Sequence, residues 1–242
     1  MEQEKKLLLL SLSDLFSKKI LLYAFSPFLV SMILLAVAFF SLTDITIFGH
    51  QDTIAQNESF FAQIMDLSFI HSFTSWLTSF LIYTFGWFFI LYLSIFIATI
   101  IIGFLTPFII EEVQKRHYKE IQMIGYSNTI ESIWLTLKWA MIMIGLFILL
   151  FPLYFIPGLN LIALHLPMYY FFHKMINYDI SSHICSREEA KTIQTNNAML
   201  LKIKTAFLYL VSLIPFAIFL GAIFFVIYLG HTYFMEVKKI RN

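Results

Sequence analysis

Residues 139–173 read WAMIMIGLFILLFPLYFIPGLNLIALHLPMYYFFH and contain no Asp, Glu, Lys or Arg. Because a helix needs about 20 mostly apolar residues to cross a bilayer, this run is long enough to cross or to enter and return. Pro157 and Gly158 interrupt the run near its middle, which is typical of a turn between two helices. The run therefore predicts a helical hairpin in a membrane.

Three further charge-free runs cover residues 20–43, 67–110 and 205–235. The whole chain of 242 residues is 60% apolar and only 13% charged, against about 25% charged residues in an average soluble domain. These properties predict an all-α integral membrane protein with two long transmembrane helices and two Pro-interrupted helical hairpins. The second interruption is expected at Pro215.

The basic residues predict the orientation of the chain. Residues 44–66 carry acidic side chains and no Lys or Arg, which places them outside, whereas basic residues cluster in the segments assigned to the cytoplasm. We expect both termini in the cytoplasm of a bacterial plasma (inner) membrane. The predicted order is 1–19 interfacial helix, 20–42 span, 43–76 external loop, 77–105 span, 106–138 cytoplasmic helix, 139–173 hairpin, 174–204 cytoplasmic segment, 205–235 hairpin and 236–242 cytoplasmic tail.

The N-terminal helix is expected to lie on the membrane surface. Leu8, Leu12, Leu15 and Phe16 fall on one helical face. Asp14 is expected away from that face. A frayed cytosolic tail is the alternative.

The order of motifs resembles that of the CysZ / etoposide-induced membrane protein family. Similar segments are 106–113, the hairpin of 151–163 with the following 169–179, and the second hairpin within 200–236. The resemblance implies two long spans, two helical hairpins, assembly as a homo-oligomer and, in bacterial members, uptake of sulfate for cysteine synthesis. Those members carry a Gly-hydrophobic-Arg-Arg element before the first span, implicated in sulfate binding. Here 19–22 reads Lys-Ile-Leu-Leu.

Four residues are the predicted anion-binding residues. Gly158 and Asn160 lie at the first hairpin apex, where free helix amides and an amide side chain can bind an anion. Lys18 and Lys19 precede the first span and can supply point charges, although they lack the planar fork of Arg. The alternatives are an ordinary turn cap for Asn160 and attraction to anionic lipid for the lysines.

Other kinds of site have little support in the sequence. His173 and Asn177 share a helical face, but no set of three or four spaced ligands follows, so no metal site is predicted. His165 is expected to hydrogen-bond a neighbouring helix. The single cysteine excludes an intrachain disulfide. Motifs for phosphate loops, nucleophile elbows, dinucleotides or nucleic acid are absent, so we expect no enzyme, no cofactor and no nucleic-acid partner.

Two functions remain open from the sequence. The first is a permease or channel for a small inorganic anion, with sulfate uptake favoured, working as a homo-oligomer in the lipid bilayer. The second is a non-transporting membrane scaffold whose hairpins either insert into one leaflet of the bilayer or bind partners. Hairpins that stop partway through the membrane favour the first, because broken backbone in lipid costs several kcal/mol per unsatisfied group unless it lines a path.

Overall fold

The computed structural model describes residues 2–54, 68–214 and 217–241. Within these ranges the chain is helical and contains no strand, which confirms the all-α prediction. The helices are α1 (Glu2–Leu15), α2 (Lys18–Ile54), α3 (Ser68–His117), α4 (Thr129–Leu149), a 3-10 helix (Phe151–Phe155), α5 (Leu159–Ile184), α6 (Arg187–Asn196), α7 (Ala198–Ser212) and α8 (Ala217–Arg241).

Among the residues that the structure describes, four helical segments are long and apolar enough to cross a membrane. They are Lys18–Ser41, Trp76–Ala98, Thr129–Leu149 and Leu220–Arg241, with mean hydropathies of 2.4, 2.1, 1.9 and 1.5. In the first three segments many large apolar side chains are exposed, which is the surface that lipid tails cover, whereas the fourth is mostly buried by other helices. The chain is therefore a multi-pass helical membrane protein.

The two long helices extend beyond the predicted spans of 20–42 and 77–105. α2 continues to Ile54 and α3 begins at Ser68, so both ends of the predicted 43–76 loop are helical. Thr43 and Asp44 do not end the helix, since a polar residue lowers helix propensity only slightly. The rest of that loop, 55–67, lies outside the described residues, as does Pro215 of the second predicted apex.

The prediction of one cytoplasmic helix over 106–138 is wrong. α3 ends at His117, and α4 begins only after Asn128, whose side-chain oxygen accepts a hydrogen bond from Ile130 N at 3.0 Å. In the connection, Gly125 adopts a φ of 63°, and Tyr126 N donates to Ser182 O at 2.8 Å. Gly125 adopts a left-handed conformation in the connection, and Asn128 caps the start of the next helix. The pattern of charges in the sequence reveals neither feature.

The helices on either side of each interruption pack against each other. α4 contacts α5 across the turn that contains the 3-10 helix, and α7 contacts α8. The predicted hairpins of 139–173 and 205–235 fall inside these longer helix pairs. The intervening stretch of 174–204 holds the end of α5, all of α6 and the start of α7.

The chain divides into two compact units. The first comprises residues 1–24 and 102–242, and α8 is its central helix, because α1, α5, α6 and α7 all contact it. Tyr233 and Phe234 are fully buried there. The second comprises residues 25–101 of α2 and α3, where Ser31 Oγ donates to Ser94 O at 3.3 Å.

Asp14 lies away from exposed Leu12 and Phe16, as predicted, whereas Leu15 of the predicted surface face is buried. α1 packs on α8 through a face that includes Leu7, Ser11, Asp14 and Leu15, all of them buried. The carboxylate is tolerated there because histidine side chains of other helices hydrogen-bond it. Leu12 and Phe16 remain exposed on the other side of α1, as expected of a helix whose outer face meets lipid.

Candidate functional site

A cavity of about 240 Å³ lies among α4, α5, α6, α7 and the connection before α4. Two of its lining residues are lysines, Lys174 and Lys202, and none is Asp or Glu. Hydrogen-bonding and aromatic side chains complete the wall. The lining is formed by Tyr126, Trp139, His173, Lys174, Asn177, Tyr178, Gln194, Ala198, Leu201 and Lys202. We call this the basic cavity.

Buried hydrogen bonds hold one wall of the basic cavity in place. His173 Nδ1 lies 2.7 Å from Thr205 Oγ1, which joins α5 to α7. Asn177 Nδ2 donates to His173 O at 2.7 Å, as their spacing on one face predicts, and Asn177 Oδ1 accepts from Tyr233 OH at 2.9 Å. Each polar group of Asn177 thus has a partner, so the wall is rigid and not a loose surface.

The two lysines of the basic cavity are exposed and can turn toward it. Within the described residues, neither Lys174 nor Lys202 forms an ion pair, whereas Lys19, Lys115, Lys204, Lys238 and Lys239 do. An ammonium group without a carboxylate partner keeps its charge available to a bound anion. The cavity is therefore electropositive.

A smaller cavity of about 210 Å³ shares Tyr126, Tyr178 and Gln194 with the basic cavity. Arg187 also lines it, but its guanidinium is taken by Glu131 at 2.6 Å and lies 5.5 Å from the centre of the Tyr126 ring. The smaller cavity thus contains the Arg187–Glu131 ion pair, whereas no carboxylate lines the basic cavity.

The predicted site residues lie on different elements, and Lys19 and Asn160 each have a partner within the protein. Lys18 is exposed at the start of α2, and Lys19 pairs with Glu112 of α3. Hydrogen bonding to Lys19 holds the pKa of Glu112 below its ordinary value. The lysine's charge is thus partly offset.

At the hairpin apex, Gly158 precedes α5 with a φ of 87°. Asn160 is exposed, and its side-chain oxygen accepts a hydrogen bond from Leu161 N at 2.9 Å. The neighbouring cavity, of about 590 Å³, is lined by apolar and aromatic residues: Phe147, Ile148, Phe151, Tyr154 and Phe155. His165, as its prediction requires, reaches another helix through Tyr209, with Nδ1 3.0 Å from the hydroxyl.

A second polar cluster, which the sequence analysis missed, joins α1, α3 and α8. The Asp14 carboxylate lies 3.0 Å from His117 Nε2 and 3.0 Å from His231 Nε2. Burial raises the pKa of Asp14, but the hydrogen bonds to both imidazoles outweigh it and hold that pKa below its usual value. We call these three residues the Asp-His-His cluster.

Comparison with known proteins gives a family. A family model described as "Sulfate transporter CysZ/Etoposide-induced protein 2.4" matches residues 7–222. Searches of curated proteins and of solved structures gave no match. The family match covers all of the second compact unit, the first unit as far as residue 222, and every residue that lines the basic cavity.

Proposed function

Because the chain belongs to the Sulfate transporter CysZ/Etoposide-induced protein 2.4 family, we propose that it is a permease or channel for a small inorganic anion, with sulfate as its substrate. A membrane transporter is the kind of function that the family supports. The basic cavity is the observation that supports an anion as the substrate, because its wall contains two unpaired lysines and no carboxylate.

The size and chemistry of the basic cavity suit a tetrahedral anion. Its volume of about 240 Å³ accommodates such an anion together with several waters, since one water needs only about 10–15 Å³ by this measure. Lys174 and Lys202 would supply charge, and Asn177 and Gln194 carry amide side chains. Flexible lysines hold an anion less rigidly than a bidentate arginine, which suits a permeation path where the ion must also leave.

We keep the four anion-binding residues predicted from the sequence in the proposal, as further positions that the anion would pass on its way through the protein. Lys18 and Lys19 would attract anions to the start of α2, and Gly158 with Asn160 would present amides at the hairpin apex. The apolar surroundings of the apex make this the weaker of the two regions for a charged substrate.

We propose that the functional form is a homo-oligomer in a bacterial inner membrane, with both termini in the cytoplasm. None of the residues of α4 is buried, although this helix is among the candidate spans. Its exposed apolar surface has room for lipid on one side and a second copy on the other. The basic cavity, which includes residues of the 174–204 segment, would then open toward the cytoplasm.

The test is uptake of radiolabelled sulfate by proteoliposomes that contain the purified protein. We expect saturable uptake, and a loss of roughly tenfold or more in the double variant Lys174→Gln/Lys202→Gln, because each lost charge costs about 1 kcal/mol of attraction or more. Lys138→Gln is the matched control, since Lys138 is an exposed lysine outside both cavities. Asn160→Ala tests the apex in the same assay.

The outcomes separate the proposals. Uptake that the double variant leaves unchanged would move the anion site away from the basic cavity, and a loss confined to Asn160→Ala would move it to the apex. No uptake of sulfate, selenate or thiosulfate by correctly assembled protein would overturn the permease proposal in favour of a scaffold.

A further inference from the structure

The Asp-His-His cluster brings together three metal-binding side chains from distant parts of the sequence. Asp14 comes from α1, His117 from the end of α3 and His231 from α8. Their candidate ligand atoms, one for each residue, all lie within 4.8 Å of one another. Both imidazoles point Nε2 at the carboxylate from 3.0 Å. We propose that this cluster binds one Zn²⁺ ion.

The geometry needs only small movements to hold the ion. Zn²⁺ takes imidazole nitrogen and carboxylate oxygen at about 2.0–2.2 Å, so ligand atoms of a tetrahedral site lie about 3.3–3.5 Å apart. The carboxylate-to-imidazole distances of 3.0 Å are a few tenths of an ångström below that separation. The ligand atoms of His117 and His231 lie within 4.8 Å of each other, so rotation of these side chains must also bring the two imidazoles to the tetrahedral spacing.

The surroundings orient His231 as ligands are oriented in known zinc sites. Its Nδ1 lies 3.1 Å from the Tyr118 hydroxyl, so Nδ1–H can donate a hydrogen bond to the hydroxyl oxygen, which leaves Nε2 unprotonated and able to bind metal. His231 is fully buried, and 6% of the Asp14 side chain is exposed. These two ligands are therefore held by packing.

Among the three ligands of the cluster, His117 is the most exposed. The His117 side chain is 30% exposed, which gives an ion a route in and leaves room for water as the fourth ligand. Arg116 Nη1 lies 3.8 Å from Asp14 Oδ1 and would repel a cation, but its Nε donates to Glu112 at 2.9 Å. Glu112 thus offsets much of the repulsion.

Two imidazoles and one carboxylate favour Zn²⁺ over Mg²⁺ or Ca²⁺, which prefer oxygen ligands only. The ion would fasten α1 to α3 and α8, because each helix contributes one ligand. The site acts as a structural clamp, and its binding is independent of which substrate the protein transports.

The test is metal binding by tag-free protein in detergent after treatment with a chelator. We expect one Zn²⁺ per chain by calorimetry and the visible absorption of tetrahedral Co²⁺ when cobalt replaces zinc. His117→Gln should lower the affinity by roughly 100-fold or more, and Tyr118→Phe by about tenfold, since outer partners typically contribute 10- to 100-fold. His183→Gln is the control, because His183 is a partly buried histidine outside the cluster.

Wild-type protein that binds no Zn²⁺ at about 100 μM and shows no cobalt absorption would overturn the proposal, whatever the variants do. Equal losses in His117→Gln and His183→Gln would overturn it too, because they would place the ion elsewhere. His117 is the ligand chosen for substitution since its partial exposure allows the variant to fold.

Discussion

Gly158 is the residue at which the backbone of the first hairpin depends most on the absence of a side chain. Its φ of 87° is unfavourable for any residue with a Cβ, although no atom lies within 4 Å of the place where the Cβ would be. We expect Gly158→Ala to lower the free energy of unfolding by about 1–2 kcal/mol through backbone strain alone. Thermal unfolding in detergent measures the change.

Gly145 provides the matched control for that prediction. It also has no atom within 4 Å of an added Cβ, but it lies inside α4. Gly145→Ala should therefore have the opposite sign and stabilise the protein by up to about 1 kcal/mol. Equal effects of the two substitutions would mean that the turn at Gly158 is not held in the left-handed conformation.

Glu189 should make the stability depend on pH. The bidentate contact of its carboxylate with Arg241, at 2.7 and 2.9 Å, holds the pKa of Glu189 below the ordinary 4.5. A carboxyl whose pKa is lower in the folded protein stabilises it above pH 4.5, and this contribution is lost as the pH falls through the folded value. We expect Glu189→Gln to cost at most about 1 kcal/mol at pH 7, given the partial exposure of the pair, and almost nothing near pH 3.

Unfolding of wild type and Glu189→Gln at both pH values measures this difference. The amide still caps α6, because it can accept the bond that Ser186 N donates to the carboxylate at 2.8 Å. A cost that persists unchanged in acid would contradict the prediction, because a cost that does not change with pH does not come from the charge of Glu189.

At the scale of elements, a buried lysine connects α1 to α7 and α8. The Lys204 side chain is only 4% exposed; its Nζ lies 3.1 Å from Glu4 Oε2 and donates to Thr232 at 3.0 Å. Removing one partner of such a pair leaves a buried charge uncompensated, which costs more than removing both. We expect Glu4→Gln to destabilise the protein by about 1–3 kcal/mol, and Lys204→Met to recover most of that loss in the double variant.

A double-mutant cycle followed by chemical or thermal unfolding measures the coupling between the two residues. Because 41% of the Glu4 side chain is exposed, the coupling should be smaller than for a fully buried pair. A coupling near zero would contradict the prediction and make the contact an ordinary surface ion pair.

The elements were predictable where the local sequence breaks a helix visibly. Pro157 and Gly158 located the turn between α4 and α5, and the charge-free runs located the apolar helices. The break over 118–128 was missed because Gly125 and Asn128 stand in a stretch of mixed polar and apolar residues that is compatible with a continuing helix. The continuation of α2 beyond Leu42 was missed because Thr43 and Asp44 lower helix propensity but do not end the helix.

The candidate sites were less predictable than the elements, since they depend on contacts between distant residues. Asp14 and His231 are 217 positions apart, and no periodicity relates them. In the sequence, Lys202 belongs to the basic residues that predict the cytoplasmic side of the chain, and Lys174 lies within the 169–179 segment that resembles the family. Neither pattern predicts an anion site. Their convergence on one cavity follows from the packing of α5 against α7, which no local pattern encodes.

For the whole molecule, the charge distribution predicts an orientation that one chemical probe can test. The single cysteine, Cys185, is fully buried, and burial raises the pKa of its thiol to about 12. The native chain should therefore react poorly with a maleimide. Introduced cysteines can then report the side of the membrane on which they lie, without removal of Cys185.

We expect Asn57→Cys to react with a membrane-impermeant maleimide added outside intact cells, since residues 44–66 carry no Lys or Arg. Lys119→Cys, at an exposed position in the connection between α3 and α4, should react only after the cells are permeabilised. Wild type is the control for background labelling. The reverse pattern would place the termini outside, and labelling of both variants from both sides would mean that copies insert in two orientations, in which case the basic cavity would open on both faces of the membrane.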